Sequence, residues 1–221
     1  MRVLAIGAHP DDIELGCGAT LAAHRARGDS ITMLVLTTGE QGPQASQSRE
    51  QEQRAAAALL DAELVWGRFA DGSVPDGRPA IDLIQSLIDT AGIDTIYGHS
   101  PNDTHQDHRK AGLASLAAAR RSQQLLLYES PTSTRFEPSL HIDITGFLDA
   151  KLALVQAHRS QVLKNGLVDL EAVAAQARHR GFSARTHLAE SFEIARYTIR
   201  LGSQLGPTAL ADAATDLRLR N

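Results

Sequence analysis

The chain of 221 residues holds a single cysteine, Cys17. That excludes an internal disulfide framework and any zinc site built on cysteine pairs, and it fits a reducing, cytoplasmic setting. No apolar run approaches the ~18–20 residues of a membrane-spanning helix, and the apolar start before His9 is too short for a signal peptide. A basic surplus is absent too: 22 Lys and Arg face 26 Asp and Glu, a formal net charge of −4. The densest basic groups, Arg120-Arg121 and residues 178–180, are short and lie in helix-like contexts. Neither nucleic acid nor membrane is therefore an expected partner. The HExxH, CxxC, P-loop and GxSxG motifs do not occur, and Gly16-Cys17-Gly18 falls short of the full G-x-G-x-x-G dinucleotide pattern.

What is present is alternation. Apolar runs at residues 2–7, 31–36, 63–66, 94–97 and 125–128 read as strands, and helical patterns fill 15–27, 49–60, 81–91 and 107–121. Strands separated by helices imply an α/β fold: a Rossmann-like, mostly parallel sheet with helices on both faces. Residues 1–221 are expected to form one domain, with a core over 1–130, an extension over 131–200 and a tail over 203–221. In the extension, 140–144 suits an edge strand, 147–161 and 169–180 read as helices, and 192–199 fits strand or helix. The Ala-rich tail from residue 206 is expected to be helical or frayed.

Polar loops at 7–14, 37–48 and 98–107 follow predicted strands, so they open on one sheet edge, where ligands of parallel sheets bind. Two of them concentrate chemistry. The first carries His9, Asp11 and Asp12; the second, HSPNDTHQDH over 99–108, carries His99, Asp103, His105, Asp107 and His108. Imidazole and carboxylate suit zinc or a neighbouring divalent ion, and a catalytic zinc wants three protein ligands and one open position. A bound cation would also offset the repulsion between two adjacent acids. One of these acids could ligate while its neighbour serves as general base, and one of His105 and His108 could ligate while the other faces a substrate. The plainer reading is that Asp11-Asp12 only caps a helix.

The segments AHPDDIELGCGAT and HSPNDTHQDH resemble the two signatures of the zinc-dependent N-deacetylases of the LmbE-like, or PIG-L, family. Further segments are similar: Thr37-Thr38-Gly39-Glu40 with Gly42, Arg49 with Glu52, Asp71-Gly72, Tyr128-Glu129, Phe136-Glu137-Pro138, AHRSQ at 157–161, and 180–192. The resemblance spans about residues 1–195. It implies His9, Asp12 and His108 as zinc ligands, with iron(II) or cobalt(II) as substitutes that the same donors accept. It implies Asp11 as general base, His105 as donor to the developing oxyanion or to the leaving amine, and Asp107 as the group orienting a histidine. Glu14 would support the first loop. Arg49 and Asp71 match sugar-contacting positions, and Asp103 joins them as a substrate-binding candidate. The implied reaction removes acetyl from a small N-acetylated amino sugar, in a homo-oligomer such as a trimer or hexamer. Two departures stand out: Gln106 where proline is common, and Leu60-Asp61 for Leu-Gly. The competing functions are a nucleotide-binding Rossmann-like module and a metal-dependent phosphoesterase.

Overall fold

The computed structural model describes residues 1–41, 46–162 and 168–199. The elements run β1 (Arg2–Gly7), α1 (Asp12–Ala26), β2 (Ser30–Thr37), α2 (Ser46–Leu59), β3 (Glu63–Phe69), α3 (Arg78–Ala91), β4 (Thr95–His99), α4 (Gln106–Ala118) and β5 (Gln124–Tyr128). After these come β6 (Leu140–Asp143), α5 (Leu148–Gln156), α6 (Arg159–Val162), α7 (Leu170–Ala184) and β7 (Ala189–Tyr197). The strands form one sheet in the order β3-β2-β1-β4-β5-β7-β6. The first five are parallel, and β7 lies antiparallel between β5 and β6.

Successive side chains of a strand point to opposite faces. Val3 and Ala5 accordingly join Ile13, Cys17 and Leu21 of α1 and Ala56 and Ala57 of α2 in one core. Leu4 and Ile6 join Ala80 and Ile84 of α3 and Ala111 and Ala114 of α4 in the other. The expected single α/β domain with helices on both faces is what the chain forms. Strand order reverses at β1, which pairs with β2 on one side and β4 on the other. The loops leaving β1 and β4 therefore diverge around a crevice at their carboxyl ends.

Several boundaries differ from the sequence reading. Helix α1 starts at Asp12, not at residue 15, so both acids of its first turn lie inside it. It is kinked at Cys17 (φ −145°), where Ala19 N–H and Thr20 N–H donate to the Glu190 carboxylate and Lys151 donates to Leu15 O and to Glu190. Residues 147–161 form two helices, because the chain turns at Ala157-His158 to bring His158 inward to Glu14. Residues 192–199 are strand up to Tyr197, since β5 and β6 pair with β7 on its two sides. Gly16-Cys17-Gly18 lies buried within α1 and forms no phosphate loop. The expected tail lies outside the described residues, as does Gly42. Among the described residues no helix is long and apolar enough to cross a membrane.

Gly16 packs directly on the Tyr128 ring: a Cβ there would stand 2.2 Å from Cδ2. Tyr128 is fully buried and its hydroxyl donates to Ile6 O at 2.6 Å, so the ring has nowhere to move. Gly16→Ala is expected to lower unfolding free energy by about 1–3 kcal/mol, read as an earlier denaturant midpoint.

Candidate metal centre

The site starts at the end of β1. The peptide turns sharply there, with Asp11 at φ 101° and ψ −24°, a left-handed conformation that strains a residue with a Cβ by about 1–3 kcal/mol. His9 N–H donates to Asp12 Oδ2 at 2.7 Å, which fixes the carboxylate at the mouth of α1. Asp11 and Asp12 part ways: Asp12 faces histidines, whereas Asp11 Oδ1 faces the Arg49 guanidinium at 3.6 Å. Burial, and after it the Asp12 charge, pushes the Asp11 pKa up to about 6 against the pull of Arg49. Burial would raise Asp12 as well, but the charges of His108 and His99 outweigh it and hold Asp12 well below the usual carboxylate range.

The second loop delivers the histidines. His105 caps α4: its Nδ1 accepts Asp107 N–H at 3.2 Å. The ring proton of neutral His105 must then sit on Nε2, which is free to donate. Burial and the neighbouring His108 lower the His105 pKa, so this neutral form prevails at pH 7. His108, three residues on, has Nδ1 3.2 Å from Asp103 Oδ2 and Nε2 3.3 Å from Asp12 Oδ1. His9 is arranged alike: Nε2 lies 3.0 Å from Asp71 Oδ1 and 3.3 Å from Asp107 Oδ2, while Nδ1 lies 3.5 Å from Asp12 Oδ2.

Each of these two histidines thus has one nitrogen held by carboxylate and the other turned to Asp12. That is the arrangement by which outer carboxylates orient imidazole ligands. For tetrahedral zinc with bonds of about 2.0–2.2 Å, neighbouring donor atoms stand about 3.3–3.5 Å apart. The separations of 3.5 Å (His9 Nδ1 to Asp12 Oδ2) and 3.3 Å (His108 Nε2 to Asp12 Oδ1) are of that size, though they run to different oxygens of Asp12. Among the described residues, the sets whose ligand atoms all lie within 4.8 Å of one another are His9/His105/His108, Asp12/His99/His108 and His9/Asp71/Asp107; His9, Asp12 and His108 together are not one of them. Imidazole and carboxylate donors so gathered suit a divalent ion.

Of the nine expected site residues, His9, Asp11, Asp12, Arg49, Asp71, His105 and His108 line one cleft of about 420 Å³. Asp107 is fully buried behind His9, accepting from Gly72 N–H at 2.7 Å and Val74 N–H at 3.1 Å. Asp103 does not line this cleft. It lies beneath His108, taking hydrogen bonds from Ser130 Oγ (2.5 Å), Thr132 Oγ1 (2.6 Å) and His105 N–H (2.8 Å). Arg49 is also engaged, donating to Pro10 O at 2.7 Å, and Asp71 Oδ2 accepts Gln41 N–H at 2.9 Å. The His9 hydrogen bond, against burial, lowers the Asp71 pKa to about 2.

Sequence reasoning assigned no role to His99, Gln53 or His158. His99 stacks on His108 at 4.3 Å and 15°, with Nε2 3.1 Å from Asp12 Oδ2. Gln53 stands one helical turn after Arg49, and that i, i+4 spacing was the available signal.

The family described as PIG-L: GlcNAc-PI de-N-acetylase matches residues 4–119. The chain is 36% identical over 167 residues to the uncharacterized deacetylase YaiS of Escherichia coli K12, covering 72% of this chain and 90% of that one. It is 26% identical over 186 residues to the diacetylchitobiose deacetylase of Thermococcus kodakarensis, covering 72% and 70%. The crystal structure of the conserved protein TT1542 from Thermus thermophilus superposes with a TM-score of 0.80 at 30% identity, covering 92% of this chain and 99% of that one.

Without an ion, His108 carries a proton at neutral pH: burial would lower its pKa, but Asp12 and Asp103 raise it to about 9. His9 is likewise raised well above its usual value, by Asp107, Asp12 and Asp71 against burial. An incoming ion must displace these protons. Zinc added to the metal-free protein at pH 7 should release roughly one to two protons per ion, read from calorimetry in buffers of different ionisation enthalpy. Apparent affinity should rise with pH toward about 9, as His108 loses its competing proton.

Proposed function

Because the chain belongs to the PIG-L (GlcNAc-PI de-N-acetylase) family, we propose that it is a metal-dependent deacetylase that removes the acetyl group of a small N-acetylated amino sugar. The observation that carries this reading is the gathering of imidazole and carboxylate donors around His9, Asp12 and His108 beside the separately placed carboxylate of Asp11. His9, Asp12 and His108 would hold the ion, zinc by preference, with iron(II) and cobalt(II) suited to the same donors. When bound, it supplies a Lewis acid that polarises the amide carbonyl and makes water acidic near neutrality.

The chain's own groups then divide the proton work. Asp11, with its pKa near 6, is ionised at pH 7 yet basic enough to take a proton from the attacking water. His105 donates its Nε2 proton as a hydrogen bond to the carbonyl oxygen as that atom gains charge. Asp11, now protonated, can return the proton to the departing nitrogen, so acetate and a free amine leave and the carboxylate is restored. Asp103 and Asp107 hold His108 and His9 in the ring orientations this requires. Asp71 on the cleft wall is the carboxylate best placed to accept from a sugar hydroxyl.

The competing readings find less support. Among the described residues of the cleft, Arg49 is the one side chain cationic irrespective of pH, and Pro10 O and Asp11 already engage it. A phosphate ester would meet no further cation there. The glycines of a would-be nucleotide loop are buried in α1.

Metal content of the purified chain should be measured beside acetate release from N-acetylglucosamine and its simple glycosides. About one ion per chain is expected. Asp11→Ala should keep the ion and lose about 10²–10⁴ in rate, whereas His108→Ala should lose the ion. A chain that binds no metal even on reconstitution would sink the reading.

A further inference from the structure

Helix α2 holds the peptide between Pro10 and Asp11 from both ends. Arg49 Nη2 donates to Pro10 O at 2.7 Å, and Gln53 Oε1 accepts Asp11 N–H at 3.3 Å. The carbonyl of residue 10 and the amide of residue 11 belong to one planar unit, so two side chains one turn apart hold it by its opposite ends. The tilt of that plane sets φ of Asp11, and φ of 101° is what sends Asp11 toward Arg49 while Asp12 faces the histidines.

Gln53 does not line the cleft and is fully buried. Its amide is oriented by Glu14, whose Oε1 accepts Gln53 Nε2–H at 2.6 Å. A carboxylate accepts only, so it fixes which end of the amide meets Asp11. Glu14 is itself fully buried, and its Oε2 lies 3.4 Å from His158 Nε2 at the α5–α6 turn. A buried Gln, Glu and His in series are costly where apolar side chains would fill the same volume. Their arrangement makes sense as support for the one strained peptide at their end.

We propose that Arg49 and Gln53 clamp the Pro10–Asp11 peptide plane, and that Gln53 is thereby a positioning residue for the Asp11 carboxylate. This rests on the reading of Asp11 as the base in amide hydrolysis. It gives Arg49 a task other than sugar contact, and it makes Gln53 matter for turnover without touching substrate or ion.

Gln53→Leu removes the acceptor at similar volume. With folding and metal content checked, kcat should fall at least about tenfold while KM stays within about twofold, because misplacing a reacting group slows chemistry more than binding. Gln53→Glu should be as slow, since it sets two carboxylates together. Adding Glu14→Gln to it restores the donor–acceptor pattern and should recover most of the lost kcat. A folded, metal-loaded Gln53→Leu with kcat within about twofold of the unaltered chain would overturn the proposal. So would a folded double swap no faster than Gln53→Glu, which decides the matter if Gln53→Leu does not fold. The unaltered chain controls for the underlying reading: if it releases no acetate, that reading fails. The clamp is then judged from crystal structures, where Asp11 should leave the left-handed region in Gln53→Leu and regain it in the swap. Retention of φ near 101° in Gln53→Leu would overturn the clamp.

Discussion

The carboxylate of Asp12 is the point on which the site turns. It is buried, it accepts His9 N–H, and it faces His9, His99 and His108 at 3.1–3.5 Å. A carboxylate removed from water needs compensation from charge or hydrogen bonds, and here it comes from His9 N–H and from the His9 and His108 rings. The segments that carry these histidines are brought together by the adjacency of β1 and β4. Burial first, and after it this same anion, raises the neighbouring Asp11. The two adjacent acids are thereby held in different states of charge.

Behind this centre lies a layer of carboxylates that never reach the cleft. Asp103 holds His108 and is held by Ser130 and Thr132, so the loop after β5 takes part in aiming a ring on α4. Asp107 joins His9 to the backbone of Gly72 and Val74. Such groups limit the freedom of the rings before any ligand arrives, which is how outer residues tune a metal centre. The loops after β1, β3, β4 and β5 are thus mechanically joined through two aspartates.

Much of this was legible beforehand. The strand–helix alternation gave the parallel core, and two clusters of acids and histidines at strand ends marked the crevice edge. Periodicity carries no information about which way a buried polar side chain turns, and Asp103 shows the consequence. It stood as a substrate-binding candidate, and the hydroxyls that enclose it come from residues 130 and 132, remote in the chain. Gln53 received no role, and His158 none beyond its place in AHRSQ, because a glutamine in a polar helix and a histidine near a helix end look like surface residues. Only tertiary packing reveals that both are fully buried. The break at Ala157-His158 likewise follows from the contact with Glu14, not from any local breaker.

The kink of α1 has a bearing on how the molecule comes into being. In its second half Ala19 N–H and Thr20 N–H donate to Glu190, a partner some 170 positions away. Closing so long a loop is slow and is postponed until its distant end exists. On the ribosome the first motif emerges well before Glu190, so the helix that carries Asp12 lacks this support until β7 has been made. The settled form of α1 thus belongs to a late stage of folding, after the two ends of the sheet's connectivity have met.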